Sequence, residues 1–194
     1  MKLFSAQNIT YSINENKLFH NLSFDVNSGE GLHIKGGNGS GKSTLLRIIL
    51  GITSPSKGLI QSYDQDLKIS YLGHKNAIKN YLTPIENLEL MFSGDDLYVA
   101  FEWLNKFGLS HVQDELTASL SFGQQKKLAL IRVLAQSSDL LILDEPFVGL
   151  DQATADQLNS FLAQKISQDV GLILTSHITP MIGCAVLDLG VKSA

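Results

Sequence analysis

The chain has 194 residues, 44% of them hydrophobic and 18% charged, with a formal net charge of -4; this suits one packed domain and argues against disorder. Mild acidity gives no general attraction to nucleic acid or to an anionic membrane surface, so no nucleic-acid partner is expected. The single cysteine, Cys184, excludes an internal disulfide or a multi-cysteine metal site, and with no apolar run near 18 residues and no apolar leader in MKLFSAQNITYSIN, neither a membrane span nor a signal peptide is expected.

Residues 3–9 and 18–26 carry short, partly alternating apolar patterns and read as antiparallel strands, the second closed by Asn27, Ser28 and Gly29. GLHIKG at 31–36 runs into a glycine-rich loop, and STLLRIILG from Ser43 to Gly51 reads as the helix that the loop opens. A turn-rich linker at 53–58 leads to candidate strands at 59–62 and 69–72. The composition then becomes helical. Thr83, Pro84 and Glu86 form a helix start with a capping box, residues 96–108 keep helical periodicity as far as Gly108, and Leu128, Ile131, Leu134 and Ala135 share one face of a third helix. This block, roughly 75–136, reads as a helical insertion. Strand patterns resume at 140–146 (LLILDEP), 170–177 (VGLILTSH) and 185–189 (AVLDL), with a helix over 152–168. The alternation predicts a single α/β domain over 1–194, with a mainly parallel sheet, an N-terminal antiparallel β portion and ligands at the strand C-terminal ends.

GGNGSGKST at 36–44 satisfies G-x-x-x-x-G-K-[ST] in the strand-to-helix context that the motif requires. Gly36, Gly37, Asn38, Gly39, Ser40, Gly41, Lys42, Ser43 and Thr44 are therefore the candidate phosphate cradle: backbone N–H groups turn inward, the helix N-terminus faces the anion, Lys42 reaches the β and γ phosphates, and the Ser43 hydroxyl helps hold Mg2+. ATP and Mg2+ are the expected ligands. Asp144 and Glu145 close a buried strand at the same sheet edge, so Asp144 is expected to meet the magnesium through water and Glu145 to act as general base toward the attacking water. His177 ends another apolar strand at that edge, where a donor would touch the γ phosphate. LSFGQQKK at 120–127 adds a second small polar turn at a helix start, far along the chain from the phosphate loop.

Together GGNGSGKST, LSFGQ, LLILDEP, GLD at 149–151 and TSH at 175–177, in that order, resemble the nucleotide-binding subunit of ABC transporters over essentially the whole chain. The resemblance implies a P-loop NTPase of the ABC ATPase type, working as a head-to-tail dimer with two ATP molecules between facing copies. It implies that Ser121, Phe122, Gly123 and Gln124 form a signature turn serving the nucleotide of the opposite copy, and that Asp151 communicates across the dimer. Phe122 stands where many relatives have glycine.

A narrower resemblance lies in YLGHKNAIKNYLTPIENLEL at 71–90, which is similar to the ATP-binding subunit of the bacterial heme exporter of cytochrome c maturation. His74 takes the place of the usual glutamine, with an implied role in coupling or at the magnesium. This resemblance implies a separate transmembrane permease, cytochrome c maturation components as partners, and a peripheral position on the cytoplasmic face of the bacterial inner membrane. Other readings are the ATPase of another small-molecule transporter and a soluble ATP-driven clamp or regulator. Ile78, Tyr81, Leu82, Ile85 and Leu88 are candidates either for packing against the permease or for the helical core. For adenine stacking, the register puts Ile13 at the family's aromatic position, with Tyr11 and Phe19 nearby.

Overall fold

The computed structural model describes residues 1–13, 16–177 and 179–190. Strands β1 (Lys2–Ile13) and β2 (Asn16–Asn27) form a long hairpin, β3 (Gly31–Lys35) enters a second sheet, and helix α1 (Lys42–Ile49) follows the glycine-rich loop. Strand β4 (Lys57–Ser62) returns to pair with β1, and β5 (Ile69–Leu72) joins the second sheet. Helices α2 (Pro84–Glu89), α3 (Gly94–Lys106) and α4 (Phe122–Leu134) come next, with two 3-10 turns before α4. Strand β6 (Leu140–Asp144), helix α5 (Gln152–Ser167), β7 (Gly171–Thr175) and β8 (Cys184–Asp188) complete the chain. One sheet is antiparallel in the order β2-β1-β4; the other is parallel in the order β5-β6-β7-β3-β8.

Strands β1 and β2 run past the expected 3–9 and 18–26. Asn8 and Asn21 take left-handed φ of 52° and 53° beside register shifts, so local bulges interrupt the alternation without ending the strands. Helix α2 begins as expected, with Thr83 and Glu86 exchanging both capping-box bonds, but it stops at Glu89. Past that point Leu90 is exposed while Phe92 turns into the core. Of the five apolar residues in the 78–88 segment, Leu88 is fully buried, Ile78 packs partly against the same core and Tyr81 stays exposed.

The parallel strands alternate their side chains between two cores, as the two-residue strand period requires. Leu141, Leu143, Leu172 and Leu174 face the core shared with α3, α4 and α5. Leu140, Ile142 and Ile173 face the opposite core, shared with α1 and the antiparallel sheet. Asp144 pairs with Thr175 in the parallel register and continues the second series. Both polar residues therefore emerge on the α1 side of the sheet, at its C-terminal edge. This placement builds the site.

Candidate active site

The strand period puts Asp144 and Thr175 side by side, and a single hydroxyl then holds the Asp144 carboxylate and the Glu145 backbone. Thr175 Oγ1 donates to Asp144 Oδ1 at 2.7 Å and accepts from the Glu145 backbone N–H at 2.9 Å. Glu145 lies one residue past the end of β6 with φ of 49°, a conformation that non-glycine residues enter at a cost of roughly 1–3 kcal/mol. The bond to Thr175 holds that turn. Sequence reasoning included 175 only as part of a TSH string; the signal it missed was that Asp144 and Thr175 end neighbouring strands of equal length and register.

Opposite this pair lies the phosphate loop. Gly39 and Gly41 have φ of 78° and 95°, and a Cβ at Gly41 would meet the Phe19 ring at 3.0 Å, so the turn and its close approach to β2 both require glycine. Helix α1 starts at Lys42 with no side-chain cap and no acidic residue in its first turn. Its N-terminal N–H groups and positive end are thus left for an anion. Lys42 is buried and donates to the carbonyls of Gly36 and Gly37 at 2.8 and 3.2 Å. Its Nζ also lies 3.7 Å from Glu145 Oε1, and His177 Nε2 approaches the same oxygen at 3.4 Å. Ser40 Oγ, Asp144 Oδ2 and Glu145 Oε1 are buried without a hydrogen-bond partner. Unsatisfied buried polar atoms are costly, and three at one locus mark a place built for a polar ligand.

These residues line a cleft of about 480 Å³, a size suited to a nucleotide. Its walls include residues 37–44, His74, Asp144, Glu145 and His177 from the expected set, without Gly36, together with Phe122, which was expected to serve the opposite copy, and also Ile13, Leu18, Lys126 and Val148. His74 is exposed where it meets the cleft. Magnesium favours oxygen ligands and keeps several waters. The Ser43 hydroxyl and the free Asp144 Oδ2 fit that preference and leave the remaining positions to phosphate and water. On the hairpin side, Tyr11 stacks on Phe19 with ring centroids 6.2 Å apart and so belongs to the hairpin, while Ile13 and Leu18 line the cleft.

The signature segment forms the start of α4. Ser121 caps the helix, and Gln124 completes a reciprocal capping box by accepting from the Ser121 N–H at 2.8 Å. Ser121, Gly123 and Gln124 stand apart from the residues lining their own chain's cleft; Phe122 reaches it. A Cβ on Gly123 would lie 2.8 Å from the Gly149 carbonyl, and one on Gly149 would collide with the Phe122 ring, so the two turns pack at backbone contact. Asp151 caps α5 through the Thr154 N–H and hydroxyl, and pairs with Lys127 at 2.7 Å. The Lys127 ammonium, then the Thr154 donors, hold the Asp151 carboxyl well below the usual carboxylate range. Asp151 thereby ties α4 to α5 within one chain.

With this geometry in place, comparison with known proteins is decisive. The family pattern described as ABC transporter matches residues 19–148. The Escherichia coli (strain K12) cytochrome c biogenesis ATP-binding export protein CcmA is 36% identical over 188 residues, covering 91% of this chain and 90% of its own. A dimeric bacterial ABC transporter cassette superposes with a TM-score of 0.80 at 25% identity, covering 97% of this chain and 95% of that one. A dimeric cassette in a post-hydrolysis state bound to ADP and Pi gives a TM-score of 0.76 at 26% identity, covering 91% and 88%. The chain belongs to the ABC transporter family, as an ATP-binding and ATP-hydrolysing subunit with the P-loop NTPase fold of that family.

Proposed function

We propose that the chain powers the heme-related step of cytochrome c biogenesis, driving release of heme from a periplasmic chaperone through a separate membrane permease. What supports the system assignment is likeness to CcmA along nearly the whole length of both chains, together with the His74-containing segment at 71–90. Among the described residues no helix is long and apolar enough to cross a membrane; in this reading a separate permease provides the path. In this reading the subunit sits at the cytoplasmic face of the inner membrane, and residues 75–136 form the helical subdomain that meets the permease.

The observation that carries the catalytic reading is the pair Asp144 and Glu145 opposite the phosphate loop, each with a buried oxygen that lacks a hydrogen-bond partner, Thr175 holding the first carboxylate and the backbone of the second. Lys42 exchanges loop carbonyls for the β and γ phosphate oxygens, and the N–H groups of residues 37–44 surround them. Ser43 directly and Asp144 through water would hold a magnesium ion, which would supply charge neutralisation for the phosphates. Glu145 takes a proton from water as the oxygen bonds to the γ phosphorus. The bond from that phosphorus to the bridging oxygen breaks, and ADP leaves with the electron pair. His177, 3.4 Å from Glu145 Oε1, donates to the γ phosphate and keeps the base oriented. His74 lines the same cleft from the segment after β5, so it reports the state of the site toward the permease.

A second copy completes the site. Ser121 and Gly123 are not among the residues lining their own chain's cleft, and they begin α4, whose positive end suits a role toward the γ phosphate held by an opposing copy. Asp151, joined to α4 through Lys127, carries the state of one turn to the other across the dimer.

The system assignment is tested by affinity recovery of the chain from native membranes. Copurification of the cytochrome c maturation permease and heme chaperone machinery is expected; exclusive recovery of a different permease would overturn the assignment.

A further inference from the structure

Lys126 is placed against the pattern of its own helix. It lies three and four residues before Ala129 and Leu130, on the face of α4 that packs into the core, and is itself only 4% exposed. Such a position favours an apolar side chain, because burying an ammonium costs free energy unless its charge is answered. Its neighbour Lys127 is paired with Asp151, and the other buried lysine, Lys42, is tied to two loop carbonyls. Among the described residues Lys126 has no hydrogen bond or close ion pair; instead it lines the cleft. Burial pushes its ammonium below the ordinary value, while Asp144 and then Glu145 act in the opposite direction, so both carboxylates lie within electrostatic reach. Asp144 Oδ2 is buried with no hydrogen-bond partner, and Glu145 Oε1 has only the longer approaches of Lys42 and His177.

We propose that Lys126 is a built-in counter-charge to Asp144 and Glu145 in the metal-free site, against which an arriving divalent cation must compete. The inference rests on the metal-holding role given to Asp144 above. Two adjacent carboxylates facing a closed loop repel each other, and a fixed ammonium behind them stabilises the site before nucleotide arrives. The same charge lowers the attraction of the site for a free cation, so that metal enters with the nucleotide phosphates. Lys126 is a positioning residue; it lies three residues after Gly123, about one helical turn, so relief of its attraction to the carboxylates acts on the helix that begins with the signature turn.

The test measures binding of Mn2+ to the protein at saturating ADP, by the relaxation enhancement of water protons, which requires no turnover. Lys126→Met keeps the length of the side chain and removes its charge; removing one unit charge near two carboxylates tightens Mn2+ binding by roughly 5- to 50-fold. Lys126→Arg restores the wild-type affinity. Lys126→Gln repeats the measurement should the methionine variant fail to fold. Unchanged or weaker Mn2+ binding in the folded neutral variant would overturn the counter-charge while leaving the ATPase reading intact. Absence of protein-bound Mn2+ in the wild-type ADP complex would overturn both.

Discussion

The two ends of the nucleotide cleft are built on different principles. At the phosphate end, Thr175 holds the Asp144 carboxylate and the Glu145 backbone by short hydrogen bonds, and Lys42 and His177 approach the Glu145 carboxylate at 3.7 and 3.4 Å. At the other end, Ile13 and Leu18 offer aliphatic surface, and the nearby aromatic pair Tyr11 and Phe19 is engaged with itself. One end has geometry to lose; the other has mainly contact area. Substitutions at the phosphate end should therefore change turnover steeply, whereas those at the base end should change affinity gently and in either direction.

The largest effect is expected for Glu145→Gln. Removing a general base lowers turnover by roughly a hundredfold or more, with ATP binding retained, as single-turnover hydrolysis and equilibrium binding would show. Retained turnover would remove Glu145 from that role. Next comes Thr175→Val, which keeps the shape but leaves Asp144 Oδ1 and the Glu145 N–H without their partner. Stability should fall by roughly 1–3 kcal/mol in denaturant unfolding, and turnover should fall with it because the left-handed turn at Glu145 loses its brace. A variant with lower stability but unaltered turnover would break the link drawn between Thr175 and the base.

The base end can be sharpened. Ile13→Tyr places an aromatic ring at the mouth of the cleft, and stacking on a base contributes roughly 1–3 kcal/mol. About tenfold tighter binding of ATP, with no rise in the single-turnover rate, would separate affinity from chemistry. The smallest effect is expected outside both ends. Asp151→Ala removes the α5 cap and should cost about 1 kcal/mol of stability while single-copy ATP affinity holds. Because Lys127 and Thr154 lower the folded carboxyl below its ordinary value of 3.8, the stability gap between wild type and Asp151→Asn is fully present above that value. It is lost as pH falls through the folded value, which acid titration of unfolding would follow.

The same contrast governs what could be read from the sequence. Phosphate chemistry demands particular residue types at fixed spacing, so the loop at 36–44 and the pair Asp144 and Glu145 were legible, as were the parallel sheet, the capping box at Thr83 and the helix start at 120–127. The role of Thr175 was not, because it depends on which strand lies beside β6, a property of sheet order. Lys126 was hidden for another reason: of two adjacent lysines, Lys127 turns to Asp151 and the Phe107 carbonyl while Lys126 is buried and lines the cleft, and helical phase against the core decides which. Strand ends at 9 and 18 were set too short because Asn8 and Asn21 break the alternation while the hydrogen-bonded ladder continues around them. The pairing of Tyr11 with Phe19 is a cross-strand contact fixed by hairpin register.

The central claim is that the phosphate end of the cleft is finished by the signature turn of a second copy. Light scattering of Glu145→Gln with ATP and magnesium measures this directly. The mass should double on nucleotide addition and return to that of a single chain when Gly123→Asp is added, although ATP remains bound. A single chain saturated with ATP in the first case, or a dimer that persists in the second, would contradict the account.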